Sequence, residues 1–191
     1  LSGQCPPLGS WQEFTEHFAF LQACGIAQGI KDLYWDVRPK PEFGTVEIRV
    51  CDTPLTIEQA TSLAALAQSL ARWLLRTRPP LHTAKQAHVA RYNKFQACRY
   101  GLEAMVSDPV ALCQTPLKQT LMDLLEDISM DASELGCAHW LNPLKQGVAG
   151  NAGDAAWLRA SEKRHGNLND VVREGSERLM GKYNPIPEKR K

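Results

Sequence analysis

An α+β fold, with a β-hairpin at about residues 32–51 and several packed α-helices beyond it, is predicted by three observations. Apolar and polar residues alternate between Leu33 and Val50, apolar residues recur at three- and four-residue spacing over about 55–180, and Pro and Gly mark the changes of period. Alternation sends successive side chains to opposite faces of a strand, whereas the longer spacing lines one face of a helix.

The elements follow in order. Trp11, Phe14, Phe18 and Leu21 lie at helical spacing, and Gly25 stands where a C-terminal cap belongs, which predicts a helix from Trp11 to Cys24. Leu33, Trp35 and Val37 then alternate with Asp32, Tyr34, Asp36 and Arg38 as a half-buried strand would. Pro39, Pro41 and Gly44 break the pattern, and Thr45 to Cys51 resumes it as a second strand. An antiparallel hairpin closed by residues 39–44 sets Arg38 opposite Thr45, Asp36 opposite Glu47 and Tyr34 opposite Arg49. The same register pairs Val37 with Val46, Trp35 with Ile48 and Leu33 with Val50, so every apolar residue falls on one face.

Beyond Asp52-Thr53-Pro54, Thr56 and Gln59 form a capping-box pattern that opens a helix to about Arg76, closed by Pro79-Pro80. A second long helix is expected from about Thr83 to Val106, on Val89, Tyr92, Phe95, Tyr100 and Met105. Gly101 weakens its late turns by about 1 kcal/mol relative to Ala, and Pro109 ends it. Pro116 opens a third, whose stripe is Leu117, Leu121, Leu124, Leu125 and Ile128, and shorter helical pieces follow. The stretch from Gln146 to Gly153 holds three glycines but not the G-x-x-x-x-G-K-[ST] order, and reads as a connector. The basic, Pro-containing end from Pro185 to Lys191 reads as a frayed terminus.

Composition narrows the class. A chain of 191 residues, 43% hydrophobic, suffices for one ordinary domain or a substantial piece of a larger one. Twenty-two Lys plus Arg against 21 Asp plus Glu leave a formal charge of +1, with no overall bias toward nucleic acid or anionic membrane. The most apolar stretch, Leu63 to Leu75, is broken by Gln68 and Arg72 and is far too short to span a bilayer. The opening residues lack a secretory pattern, and Leu1 in place of Met is read as a sign that the natural start lies upstream. Six dispersed cysteines, with no C-x-x-C pair, favour reduced thiols in a cytoplasm over a zinc site or disulfide staples.

Chemistry concentrates on the polar face of the hairpin. Facing carboxylates repel unless a cation or proton lies between them, and Arg38 and Arg49 flank Asp36 and Glu47. One reading is an exposed, salt-bridged face. The other has Asp36 or Glu47 holding a divalent metal while Arg38 and Arg49 grip phosphate oxygens or a substrate carboxylate. Period-two geometry places Glu47 and Arg49 on the same side, roughly 7 Å apart.

Two blocks make the chain recognisable. Trp35-Asp36-Val37-Arg38-Pro39 with Phe43-Gly44-Thr45-Val46-Glu47-Ile48-Arg49-Val50-Cys51-Asp52 resembles the signature of the glutamate-cysteine ligase type 2, or carboxylate-amine ligase, family. Asn93-Lys94-Phe95, Ala97 and Arg99-Tyr100-Gly101-Leu102-Glu103-Ala104 resemble that family's Asn-containing helix. The likeness weakens after about Leu144, and no Gln-Arg pair is evident around Trp157-Leu158-Arg159, so roles for Arg159 and Arg164 stay open.

The resemblance implies a catalytic fold similar to glutamine synthetase, with a curved antiparallel sheet whose concave face binds ATP and Mg²⁺. The chain would be the C-terminal portion of a single catalytic domain, with hairpin region 30–52, helical region 55–180 and basic tail 181–191. The Glu-x-Glu strand and the His-containing strand that such enzymes carry earlier are not found in it, so the N-terminal half of the same enzyme is the implied partner. The implied reaction is ATP-dependent: a glutamate side-chain carboxylate joins an amine, cysteine being favoured, through an acyl phosphate. Glu47 and Asp36 would be metal ligands, Arg49 and Arg38 clamps for phosphate or carboxylate, and Asn93 and Arg99 further nucleotide contacts.

The residues by themselves permit plainer roles: Asn93 tying a loop, Arg99 pairing with Glu103, and His82 and His88 structural or solvated. Asn93 and Arg99, six positions apart on a helix, diverge by roughly 120° and need not share a target. The competing expectation is a non-catalytic, mainly helical module that keeps the motif as scaffold and binds a partner or itself through exposed apolar surface. A homo-oligomer remains open, and neither nucleic acid nor membrane is an expected partner.

Overall fold

The structure is a computed structural model that describes residues 2–80, 83–150 and 152–181. His82, Asn151 of the glycine-containing stretch and the tail from residue 182 lie outside them. In chain order the strands are β1 (Ser2–Gly3), β2 (Tyr34–Trp35), β3 (Val37–Lys40), β4 (Thr45–Ile48), β5 (Met105–Asp108) and β6 (Cys113–Pro116). The helices are α1 (Trp11–Ala23), α2 (Ile57–Thr77), α3 (Ala84–Tyr100), α4 (Leu117–Asp127), α5 (Ser129–Glu134), α6 (Asn142–Ala149), α7 (Asp154–His165) and α8 (Leu168–Leu179). The chain is thus α+β, a hairpin with packed helices, and forms two compact units. One comprises Leu1–Asp52, Pro79–Phe95 and Ser107–Cys113, the other Thr53–Arg78, Gln96–Val106 and the chain from Gln114 onward.

In the first unit, α1 starts because Ser10 is extended and its hydroxyl accepts the Glu13 N–H at 3.1 Å, while Glu13 reaches back to the Gly9 N–H at 2.8 Å. Gly25, at φ +70°, ends it. Phe14 and Leu21 bury against Ala27, Leu33 and Trp35, with the Phe14 and Trp35 rings edge-on at 6.4 Å.

The hairpin register differs from expectation by two residues. Val37 pairs with Ile48, Arg38 with Glu47, Pro39 with Val46 and Lys40 with Thr45. The turn is shorter than residues 39–44, because Pro41 starts a 3₁₀ turn to Phe43 and Gly44, at φ +61°, reverses the chain. Pro39 then sits in β3, which a two-stranded ribbon tolerates. Between β3 and β4 a shift of two leaves the same residues sharing a face, whereas a shift of one would exchange the faces.

The supposed apolar face is divided. Asp36 is a bend between β2 and β3, so the alternation loses phase there. Leu33 and Trp35 enter the core of the first unit, while Val37, Val46 and Ile48 are exposed and Arg38 is buried. Instead of continuing the hairpin, β2 pairs in parallel with β1, Ser2 with Tyr34 and Gly3 with Trp35. Asp36 bonds both neighbours, donating its N–H to the Gly3 carbonyl and accepting the Arg49 N–H, each at 2.7 Å.

In the second unit, Thr56 caps α2 by accepting the Gln59 N–H at 3.1 Å; the Gln59 amide itself donates to Asp154 at the start of α7. Ala65 of α2 packs with Leu125, Ile128, Ala132, Cys137 and Leu141 to form the core. The helix before β5 is shorter than expected, because Gly101, at φ +59°, turns the chain after Tyr100. Met105 therefore lies on a strand, and the β5–β6 ribbon is an element the helical spacing concealed. Helix α6 likewise takes in Gln146 to Ala149, the first half of the expected connector.

Candidate active site

Each candidate on the hairpin is positioned by the β2–β3–β4 backbone of the first unit. Arg38 and Glu47 are directly opposite, and the Arg38 Nε–H and Nη2–H both donate to Glu47 Oε2, at 3.0 and 2.6 Å. The Arg38 Nη1 donates to the carbonyls of Leu33 and Lys31 at 3.1 Å and of Ile30 at 3.3 Å. With 4% of its surface exposed and its fork engaged this way, Arg38 is an internal strut that fixes Glu47.

Glu47 is half-buried and keeps one oxygen free of that bond. Its Oε1 lies 3.6 Å from Arg49 Nη1. The Arg38 hydrogen bond holds the Glu47 carboxyl below the usual carboxylate range, outweighing desolvation, and Arg38, Arg49 and Lys40 add the attraction of their charges. The result is an ionised carboxylate with one oxygen locked and the other beside a partly exposed cation. Arg49 also lies over the Tyr34 ring at 5.6 Å, which keeps its guanidinium near the hairpin.

Asp36 does not face Glu47, and its partner is neither arginine. Lys94 Nζ, on α3, bonds both Asp36 oxygens at 2.7 Å. Periodicity assigned no role to Lys94, since 58 positions separate it from Asp36; its place beside Asn93 in the second block was the only signal. Asn93 ties a strand: its amide donates to the Ser107 carbonyl and accepts the Ser107 N–H, both at 2.8 Å. Both ends of that amide are engaged with backbone. Arg99 belongs to the second unit, where it lies over the Tyr100 ring at 5.5 Å, while Glu103 pairs with Lys118 at 2.9 Å. Arg164 pairs with Glu174 at 2.8 Å.

Lys94, Asp36, Tyr34, Arg49 and Glu47 therefore form a polar surface, and buried Arg38 beneath it brings the local count to three cations against two carboxylates. Such a surface suits polyanions, with Arg49 and Lys94 the donors nearest solvent. Among the described residues no cluster of three or more His, Cys, Asp and Glu could hold a metal ion. Glu47 Oε1 fits Mg²⁺ as one ligand, because that ion takes one or two carboxylates and fills its shell with water and phosphate oxygens. Asp36 would first have to release Lys94.

The model of glutamate-cysteine ligase family 2 matches residues 2–174. A protein of Dechloromonas aromatica (strain RCB), provisionally named glutamate–cysteine ligase 2, is 86% identical over all 191 residues, which make up 50% of its own length. Proteins of Verminephrobacter eiseniae (strain EF01-2) and Polaromonas naphthalenivorans (strain CJ2), provisionally named alike, are each 41% identical over 181 residues, 95% of this chain and 48% of theirs. The chain spans about half the length of the curated relatives it matches.

Proposed function

The chain belongs to glutamate-cysteine ligase family 2, and from this premise we propose that it forms one wall of an ATP-dependent carboxylate-amine ligase site. The reaction joins the side-chain carboxylate of glutamate to an amine, with cysteine the first candidate. The single observation that carries this reading is the Glu47 carboxylate, locked on one side by buried Arg38 and presented beside Arg49 on the other.

The chemistry asks mainly for charge stabilisation. A glutamate carboxylate oxygen attacks the γ-phosphorus of ATP, the bond to the β-γ bridging oxygen breaks, and ADP leaves. The amine nitrogen then attacks the acyl carbon, loses a proton, and displaces inorganic phosphate to leave an amide. Negative charge spreads over the transferring phosphoryl oxygens, and pre-placed cations stabilise it without any covalent step by the protein.

Arg49, partly exposed beside Tyr34 and Glu47, is the clamp for phosphate or carboxylate, and Lys94 is a second cation within the same unit. Arg38 acts through Glu47 as a positioning residue. Glu47 Oε1 would hold Mg²⁺, which when bound neutralises phosphate charge. Asp36 is a further ligand only after Lys94 is drawn to an anion. Asn93 supports this surface through Ser107.

The remaining walls are proposed to come from the rest of a longer polypeptide. The exposed Val37, Val46 and Ile48 support that reading, since a β-ribbon with a bare apolar face calls for a cover. The same face supports the alternative of a non-catalytic interaction module.

The full-length protein, supplied with ATP, glutamate and a panel of amines, is expected to release ADP and a γ-glutamyl amide in equal amounts, and only when all three are present. ADP release without dependence on glutamate, or no amide with any amine, would overturn the assignment.

A further inference from the structure

A second candidate site lies in the first unit, where a cavity of about 430 Å³ opens over the buried Trp35 and Leu21. Its size is that of a small-molecule pocket. Pro6, Pro7 and Ala87 complete apolar walls, and His17, whose ring lies 6.0 Å from that of Trp35, extends the aromatic surface.

Ser2 and Gln4 add neutral polar groups to the lining, and its one permanently charged residue is Arg91. His88 and Arg91 of α3 stand at the rim, and Arg91 Nη2 lies 2.8 Å from His88 Nδ1. A guanidinium only donates, so His88 Nδ1 accepts and the neutral ring carries its proton on Nε2. The remaining Arg91 N–H groups have no protein acceptor assigned among the described residues, and both side chains therefore offer donors. No Asp or Glu lines the cavity. Cys5 does not supply a negative charge either, because its Sγ–H donates to the Pro6 carbonyl at 3.3 Å and burial pushes its thiol up, away from thiolate.

We propose that this cavity binds a small organic carboxylate, its head group on Arg91 and His88 Nε2–H and its apolar body on Trp35 and Leu21. A zwitterion is a poorer occupant, since no carboxylate in the lining would receive its ammonium group. Inorganic phosphate is poorer as well, because it leaves the apolar walls unused. This site needs nothing from the ligase reaction.

Calorimetric titration of the full-length protein tests the assignment with four probes: 3-phenylpropionate, its neutral amide, phenylalanine and inorganic phosphate. The carboxylate should bind about tenfold tighter than the amide, the worth of a charge-assisted hydrogen bond, and tighter than phenylalanine or phosphate. Arg91→Gln, a substitution at an exposed side chain, should erase the preference for acid over amide. Ala87→Phe should fill the cavity and abolish binding of both, with thermal unfolding showing the fold intact. No binding of the acid, equal binding of acid and amide, phosphate or phenylalanine matching the acid, or undiminished binding by a folded Ala87→Phe chain would each overturn the proposal.

Discussion

Asp131 is fully buried, and it accepts Arg76 Nε at 3.1 Å and Nη2 at 2.8 Å, with Arg72 Nε 3.6 Å away. The Arg76 hydrogen bond holds its carboxyl below the usual range, against the opposing effect of desolvation. A depressed carboxylate pKa stabilises the fold fully above the unfolded-state value near 3.9, and that contribution is lost as pH falls toward the folded-state value. Asp131→Asn keeps the shape and removes the charge. Urea midpoints should therefore show wild type ahead of the variant at pH 7, and the gap should close on acidification below about pH 4. A gap that stays constant down to pH 2 would contradict this role. Sequence alone left the clamp hidden, since Asp131 stands 55 positions from Arg76. The same holds for Lys94 and Asp36, whereas Glu47 and Arg49 were legible because two residues of one strand share a side by geometry alone. Arg38 was legible as a neighbour of that pair but not as a buried strut, because the Ile30, Lys31 and Leu33 carbonyls that enclose it belong to a short 3₁₀ turn, Ile30–Asp32, and the residue after it.

Helices with local signals were readable nearly to the residue. The spacing from Trp11 and the Gly25 cap bound α1, Thr56 with Gln59 marks the start of α2, and the leucines of α4 mark its buried side. Thr56→Ala should cost about 1 kcal/mol of stability in chemical denaturation, with most of it restored by Thr56→Ser, because the lost group is one cap acceptor. An unchanged midpoint would mean that Gln59 and Asp154 hold the helix start unaided. Elements set by backbone exceptions were harder to read. Gly101 ends α3 early because it adopts positive φ, a choice that spacing does not display, and the polar Gln114 and Thr115 of β6 carry no strand pattern. The hairpin turn is two residues shorter than expected because Pro39, normally a breaker, remained inside β3 with Lys40.

At the scale of the whole molecule, two units carry separate cores, one around Trp35 and Leu33, the other around Ile128 and Leu141. No helix among the described residues is long and apolar enough to cross a membrane. The polar surface of Glu47, Arg49 and Lys94 lies in the first unit beside an uncovered apolar ribbon face, and the chain spans half the length of its relatives. These features agree with one wall of a larger site. Glu47→Gln in the full-length protein is the most direct test, because Gln still accepts the Arg38 hydrogen bond while losing the charge. Glutamate-dependent ADP release should fall by about a hundredfold or more, with the thermal unfolding temperature little changed. Undiminished turnover in that variant would contradict the account and leave the hairpin as scaffold.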